Sequence, residues 1–190
     1  MVKSIVIAGV GGQGTLLASR LIGEAATSKG YDVKVSEVHG MAQRGGSVIT
    51  YVRYGDEVIS PIIPLGEADV LIAFEQLEAL RWIKYLKKGG LLISSTQKID
   101  PMPVITSKMQ YPDDIIDILS TRVDNCIFID ALSLAIKAGS SKAVNSVLIG
   151  RMAKDSDIDK DTWINALKKV APLKFIDLNI IAFELGYNFS

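Results

Sequence analysis

SIVIAGVGGQGTLLASRLIGEAATSKG, residues 4–30, decides how the rest of the chain is read. Residues 4–9 are a short apolar run rich in β-branched side chains and closed by Gly9, the pattern of a strand buried on both faces. The loop Gly9-Val10-Gly11-Gly12-Gln13-Gly14 follows. Beyond it Leu17, Ala18, Leu21, Ile22 and Ala25 recur at helical spacing, with Ser19, Arg20, Glu24 and Ser28 opposite them. Gly30 stands where a C-terminal helix cap belongs. Residues 31–38 read as a second strand, with Val33 and Val35 on one face. Strand, glycine loop, helix and strand together open a doubly wound α/β sheet.

Outward from this unit, residues 39–46 have no usable period and form a loop. Residues 47–54 are strand-like, Gly55-Asp56 reads as a turn, and residues 57–59 as a returning strand, which predicts a β-hairpin. Pro61 and Pro64 interrupt the chain. Strands are expected over 68–74, 91–94 and 127–130, and helices over 76–86, 131–138, 143–152, 162–170 and 175–185, with Gly139 closing the second of these. Residues 101–112 are the least regular part. The expected architecture is one domain over residues 1–190: α/β, a doubly wound Rossmann-like and mostly parallel sheet, an inserted β-hairpin and a helical C-terminal third.

Composition narrows the function classes. Of the 190 residues, 48% are hydrophobic and 22% charged, as in an ordinary globular chain able to bury a core. Lys plus Arg and Asp plus Glu both number 21, and that balance argues against nucleic acid as the main partner, because neutralising phosphates takes a basic excess. No apolar run approaches the roughly 20 residues of a membrane helix. The first residues run straight into a strand without a signal-peptide layout, so a cytoplasmic protein is expected. The one cysteine, Cys126, and the one histidine, His39, exclude an intramolecular disulfide and any four-cysteine cluster or paired Cys/His metal set carried by this chain alone.

Two stretches carry chemistry. Gly9-x-Gly11-x-x-Gly14 fits the dinucleotide fingerprint, in which glycines let a phosphate approach backbone N–H groups at a helix N-terminus. Glu37 lies 23 residues beyond Gly14, near where a ribose-binding acid would stand, and favours NAD. The plainer reading is that the glycines only allow strand and helix to pack closely. Gln13 places an amide in mid-loop, available to a phosphate or a partner chain, or simply to solvent. The denser candidate is His39-Gly40-Met41-Ala42-Gln43-Arg44-Gly45-Gly46, on a loop after a strand end, where doubly wound sheets bind ligands. Arg44 suits a phosphate or carboxylate and His39 titrates near neutrality. Their plainer roles are a solvated arginine and a loop-bracing histidine. No Gly-x-Ser-x-Gly elbow, Walker loop or His-Glu-x-x-His occurs, and Gly55-Asp56 lacks the asparagines of a thiamine diphosphate motif. A site-like surface without a complete catalytic set suggests a subunit.

The glycine loop and residues 37–48 resemble the gamma-type domain of 2-oxoacid:ferredoxin oxidoreductases. The likeness continues through Ser60-Pro61-Ile62-Ile63-Pro64, Gly66-Glu67-Ala68-Asp69-Val70-Leu71, Phe74-Glu75-x-x-Glu78-Ala79-Leu80-Arg81, residues 145–150 and Asn179-x-x-Ala182-Phe183-x-x-Gly186. It covers nearly the whole chain and is strongest to the small (beta) subunits of the indolepyruvate branch. The resemblance implies a subunit, inactive alone, of a complex that oxidatively decarboxylates a 2-oxoacid with coenzyme A, giving an acyl-CoA, carbon dioxide and reduced ferredoxin. It places thiamine diphosphate and the iron–sulfur clusters on larger partner subunits. It makes Gly9, Gly11, Gly12, Gln13, Gly14, His39, Gln43 and Arg44 candidates for binding coenzyme A or lining the site. Two other readings stay open on the residues alone: an NAD-binding dehydrogenase or Rossmann-like binding protein, and a scaffold whose glycine loop only packs against a partner.

Overall fold

The computed structural model describes residues 2–39 and 46–190, with the backbone alone at His39. Its elements run β1 (Lys3–Val10), α1 (Thr15–Ser28), β2 (Asp32–His39), β3 (Ser47–Gly55), β4 (Ala68–Ala73), α2 (Gln76–Trp82), β5 (Leu86–Ser95), α3 (Met102–Ile105), α4 (Ile115–Arg122), β6 (Asn125–Ile129), α5 (Ala131–Ala138), α6 (Val144–Lys154), α7 (Lys160–Val170) and α8 (Ile176–Tyr187). The strands form one sheet in the order β2-β3-β1-β4-β5-β6. β1, β4, β5 and β6 are mutually parallel, and β3 runs antiparallel to both β1 and β2. The α/β class, the mostly parallel sheet and the helical C-terminal part are as the sequence led us to expect.

The unbroken apolar run of β1 has a direct cause. Ile5 and Ile7 pack on one face against α1 and the C-terminal helices, and Val6 and Ala8 pack on the other against α2 and α4. A strand covered on both faces cannot alternate polar and apolar residues. The helix ends follow their capping residues. At α1, Tyr31 N–H reaches the Ala26 carbonyl (3.2 Å) and Gly30 N–H the Thr27 carbonyl (2.9 Å), with Gly30 at φ +85°. That is the Schellman arrangement, in which a left-handed glycine ends the helix. α5 starts on the Asp130 carboxylate, which accepts from Ser133 N–H (3.0 Å), and ends on Gly139 in the same way.

One expectation needs correction, and one helix went unread. Residues 57–59 form no strand. β3 is already paired on both edges, by β1 and β2, so no edge is open to a returning strand. Val58 N–H is instead taken by the Asp32 carboxylate (2.9 Å). The antiparallel insertion is β3 itself, lying between β2 and β1. The irregular stretch, 101–112, holds the one-turn helix α3, and α4, which follows it at Ile115–Arg122, supplies the crossover cover between β5 and β6 through Ile115 and Leu119.

In the C-terminal part, α6 and α8 cross in backbone contact. A Cβ on Gly150 would lie 2.1 Å from the Phe183 carbonyl oxygen, and one on Gly186 would lie 1.9 Å from that of Val147. The Ser146 hydroxyl donates to Asn179 Oδ1 (2.6 Å), and Asn179 Nδ2 to the Phe175 carbonyl (2.8 Å), which locks the crossing laterally. The stretches 145–150 and 179–186, noticed in the sequence as landmarks, are this crossing.

Candidate functional site

α1 leaves β1 toward one face of the sheet and α2 leaves β4 toward the other. The crevice beyond the carboxyl ends of β1 and β4 is therefore the topological switch point, where α/β sheets of this kind bind ligands. The glycine loop forms one wall. Gly12 and Gly14 have φ of +100° and +86°, a region closed to side chains without strain. Gly14 also precedes α1 directly, and a Cβ there would meet Asn145 Nδ2, from α6, at 2.9 Å. The N–H groups of Thr15 and Leu16, the first of α1, donate to nothing among the described residues. Unpaired N–H groups and the helix dipole together favour an anion here.

An open groove of about 370 Å³ lies against this helix start, lined by Gly11, Gly12, Gly14, Thr15, Leu16, Glu37 and Val48. Leu16 is exposed and gives it an apolar rim. Glu37 does reach the groove, but not from the strand the dinucleotide fingerprint requires. In that fold the acid stands on the immediate neighbour of β1. Here β3 intervenes and sets Glu37 one strand further out, roughly 4.8 Å.

The sequence candidates distribute as follows. Gly11, Gly12 and Gly14 line the groove. Gly9 lies within β1, in register with Val48 of β3, which in turn faces His39 of β2, so the backbones of all three share one level of the sheet. Gln13 turns away from the groove: Oε1 accepts from Val10 N–H (2.8 Å) and Nε2 donates to the Phe74 carbonyl (3.1 Å). Gln43 and Arg44 lie outside the described residues. The end of their loop is nevertheless tied to the glycine loop, because Gly11 N–H donates to the Gly46 carbonyl (2.9 Å).

Sequence reasoning passed over the buried polar group behind the crevice. Glu75, Gln76 and Glu78 are all almost wholly buried at the start of α2. Glu75 accepts from Glu78 N–H (2.9 Å), from Ile99 N–H (3.3 Å) and from the Tyr111 hydroxyl. Burial raises the Glu75 carboxyl above its ordinary value, and these three donors pull it back. Burial, then the neighbouring Glu75, push the Tyr111 phenol up as well. Glu78 accepts from the Ser47 hydroxyl and from Trp82 Nε1 (3.0 Å), and pairs with Arg81 (3.0 Å), so it holds the start of β3 to α2. The signal was present: three polar residues directly after an apolar strand, in Phe74-Glu75-Gln76-Leu77-Glu78. Among the described residues no group of three metal-ligating side chains converges. The arrangement suits an anionic group.

Comparison with known proteins fits this geometry. The chain is 44% identical over 188 residues to the indolepyruvate oxidoreductase subunit IorB of Pyrococcus horikoshii, covering 96% of this chain and 93% of that protein. Its fold matches the gamma subunit of a keto/oxoacid ferredoxin oxidoreductase from Geobacter sulfurreducens, with a TM-score of 0.75 at 23% identity over 98% and 95% of the two chains. It also matches part of a 2-oxoglutarate:ferredoxin oxidoreductase from Magnetococcus marinus, with a TM-score of 0.72 at 20% identity, covering all of this chain and 32% of the longer one. The resemblance read from the glycine loop and residues 37–48 is borne out. Residues 4–189 match the pyruvate ferredoxin/flavodoxin oxidoreductase model, and the chain belongs to that family.

Proposed function

We propose that this chain is the small, gamma-type subunit of a 2-oxoacid:ferredoxin oxidoreductase acting on indolepyruvate or a related aryl pyruvate. The complex converts the 2-oxoacid and coenzyme A to acyl-CoA and carbon dioxide, and the two electrons released pass to ferredoxin. The observation that carries the chain's own role is the groove at the start of α1, with an apolar rim and with Thr15 and Leu16 N–H groups that have no partner among the described residues. A phosphorylated co-substrate with an apolar body matches it. Coenzyme A is such a molecule, and Arg44, on the loop tied to Gly11, would add the charged fork for one of its anionic groups.

Thiamine diphosphate and the iron–sulfur clusters belong, in this reading, to larger partner subunits. A chain with a single cysteine has no ligand set for a cluster. The same fold forming about a third of a longer oxidoreductase chain supports a partner of that kind.

The test is steady-state kinetics on the assembled complex carrying Arg44→Lys, with coenzyme A and the 2-oxoacid varied separately. Lysine keeps the charge and loses the two parallel N–H bonds. A charged hydrogen bond is worth about 1.5–3 kcal/mol, so kcat/KM for one ligand should fall roughly 10- to 150-fold. Unchanged constants for both ligands in a fully assembled complex would refute a ligand-binding role for Arg44.

A further inference from the structure

We propose that Gln13 is a positioning residue, an inserted rung of the β1–β4 ladder that sets the width of the switch-point crevice and the course of the glycine loop. β1 and β4 pair in parallel up to Ala8 and Ala73, and the last regular bond runs from Phe74 N–H to the Ala8 carbonyl (2.9 Å). The next rung of a parallel ladder would run from Val10 N–H to the Phe74 carbonyl. Both of those groups are instead bound by the Gln13 side chain, Val10 N–H by Oε1 at 2.8 Å and the Phe74 carbonyl by Nε2 at 3.1 Å. The amide therefore stands between two strands that would otherwise close on each other, and it parts them without leaving either backbone group unpaired.

Few side chains can do this. The position needs an acceptor and a donor in one planar group, at a reach that carries it back from the loop to Val10. The two partners also fix the amide's orientation, since a flipped amide would set oxygen against the Phe74 carbonyl. Gly9 is explained by the same arrangement. A Cβ there would fall 3.0 Å from Thr15 Cγ2, 3.2 Å from Gln13 Oε1 and 3.3 Å from Phe74 Cβ. The first glycine of the fingerprint makes room for the brace.

The rung reaches one strand further. Gln13 Nε2 also lies 3.5 Å from Gln97 Oε1, in the segment after β5. Gln97 accepts through its carbonyl from Gln76 N–H (3.2 Å), and Gln76 Nε2 donates to the Thr96 carbonyl (2.9 Å). Glutamines that follow β1, β4 and β5 in the chain thus join the glycine loop to the stretch that begins at Gln97 and is held further on by Tyr111.

The test uses the reconstituted complex and amide hydrogen exchange, a readout that does not depend on any ligand. Gln13→Ala should raise exchange about 10-fold, the worth of a lost hydrogen-bond pair, both in the peptide covering 9–18 and in that covering 97–111. Gln13→Glu should behave alike at neutral pH, because a carboxylate cannot donate to Phe74. It should recover, relative to wild type at each pH, as acid protonates the carboxyl and restores a donor. Gln97→Ala, which leaves Gln13 in place, should loosen 9–18 less than Gln13→Ala does. A change confined to 97–111, no change in either segment, or a Gln13→Glu variant without recovery in acid would overturn the proposal. The consequence for turnover rests on the coenzyme A reading above: KM for coenzyme A should rise more than kcat falls. Raised exchange in both segments with an unchanged KM would uphold the brace and count against that reading instead.

Discussion

At the scale of single residues, a buried carboxylate governs the back of the crevice. Burial holds the Glu75 carboxyl above its ordinary value of 4.5. Its proton is therefore bound more tightly in the folded chain than in the unfolded one. The stabilisation this provides is complete below pH 4.5 and is lost as pH rises through the raised folded value. Tyr111 limits that loss by donating to the carboxylate. Tyr111→Phe should thus cost about 1.5–3 kcal/mol at neutral pH, where the bond is to a charge, and markedly less in acid. Thermal unfolding followed from pH 4 upward, on about a one-unit grid, checks this. A loss of the same size at every pH would place the Tyr111 contribution in packing alone. How much of this was legible is uneven. The glycine loop, Gly30 and Gly139 announce their roles because those roles are local. The inward turn of Gln13 is not legible, because it depends on Phe74 arriving from a strand 61 positions away.

At the scale of elements, the α6–α8 crossing opposes helix propensity. Replacing a mid-helix glycine by alanine gains about 1 kcal/mol where the site is open. At Gly150 and Gly186 the new methyl would fall about 2 Å from a carbonyl oxygen of the facing helix. Neither backbone can yield without separating the helices, and overpacking of that kind costs roughly 1–3 kcal/mol or more. Gly186→Ala should therefore lower the melting temperature, by about 2–4 °C per kcal/mol for a chain of this size. A rise would mean that α6 and α8 do not meet here. Strand order shows the same limit of local reading. Residues 47–54 announce a strand, yet nothing nearby says that β3 will lie between β2 and β1. That placement denied residues 57–59 a partner edge and moved Glu37 away from the position on which an NAD reading depends.

At the scale of the whole molecule, the candidate groove stands at one end of the sheet while large apolar side chains stand open elsewhere. Ile59 is 92% exposed and Leu65 61%, on a connection whose Ser60 and Ile62 carbonyls are held by the Arg53 guanidinium. Exposed apolar surface on a well-fixed backbone is the condition of a subunit out of its assembly. The family was legible before the fold, because it rests on contiguous stretches such as residues 39–46, whereas a partner leaves no such local mark. No helix among the described residues is long and apolar enough to cross a membrane.

The most direct measurement is reconstitution. The purified chain, its purified larger partner subunit and an equimolar mixture are each given an aryl 2-oxoacid, coenzyme A and ferredoxin, and ferredoxin reduction is followed together with the iron content of each sample. The chain alone should hold no iron and reduce nothing, and the mixture should form acyl-CoA and reduced ferredoxin in proportion to the complex assembled. Stoichiometric iron in the isolated chain, ferredoxin reduction by it alone, or a mixture no more active than the partner by itself would contradict the account.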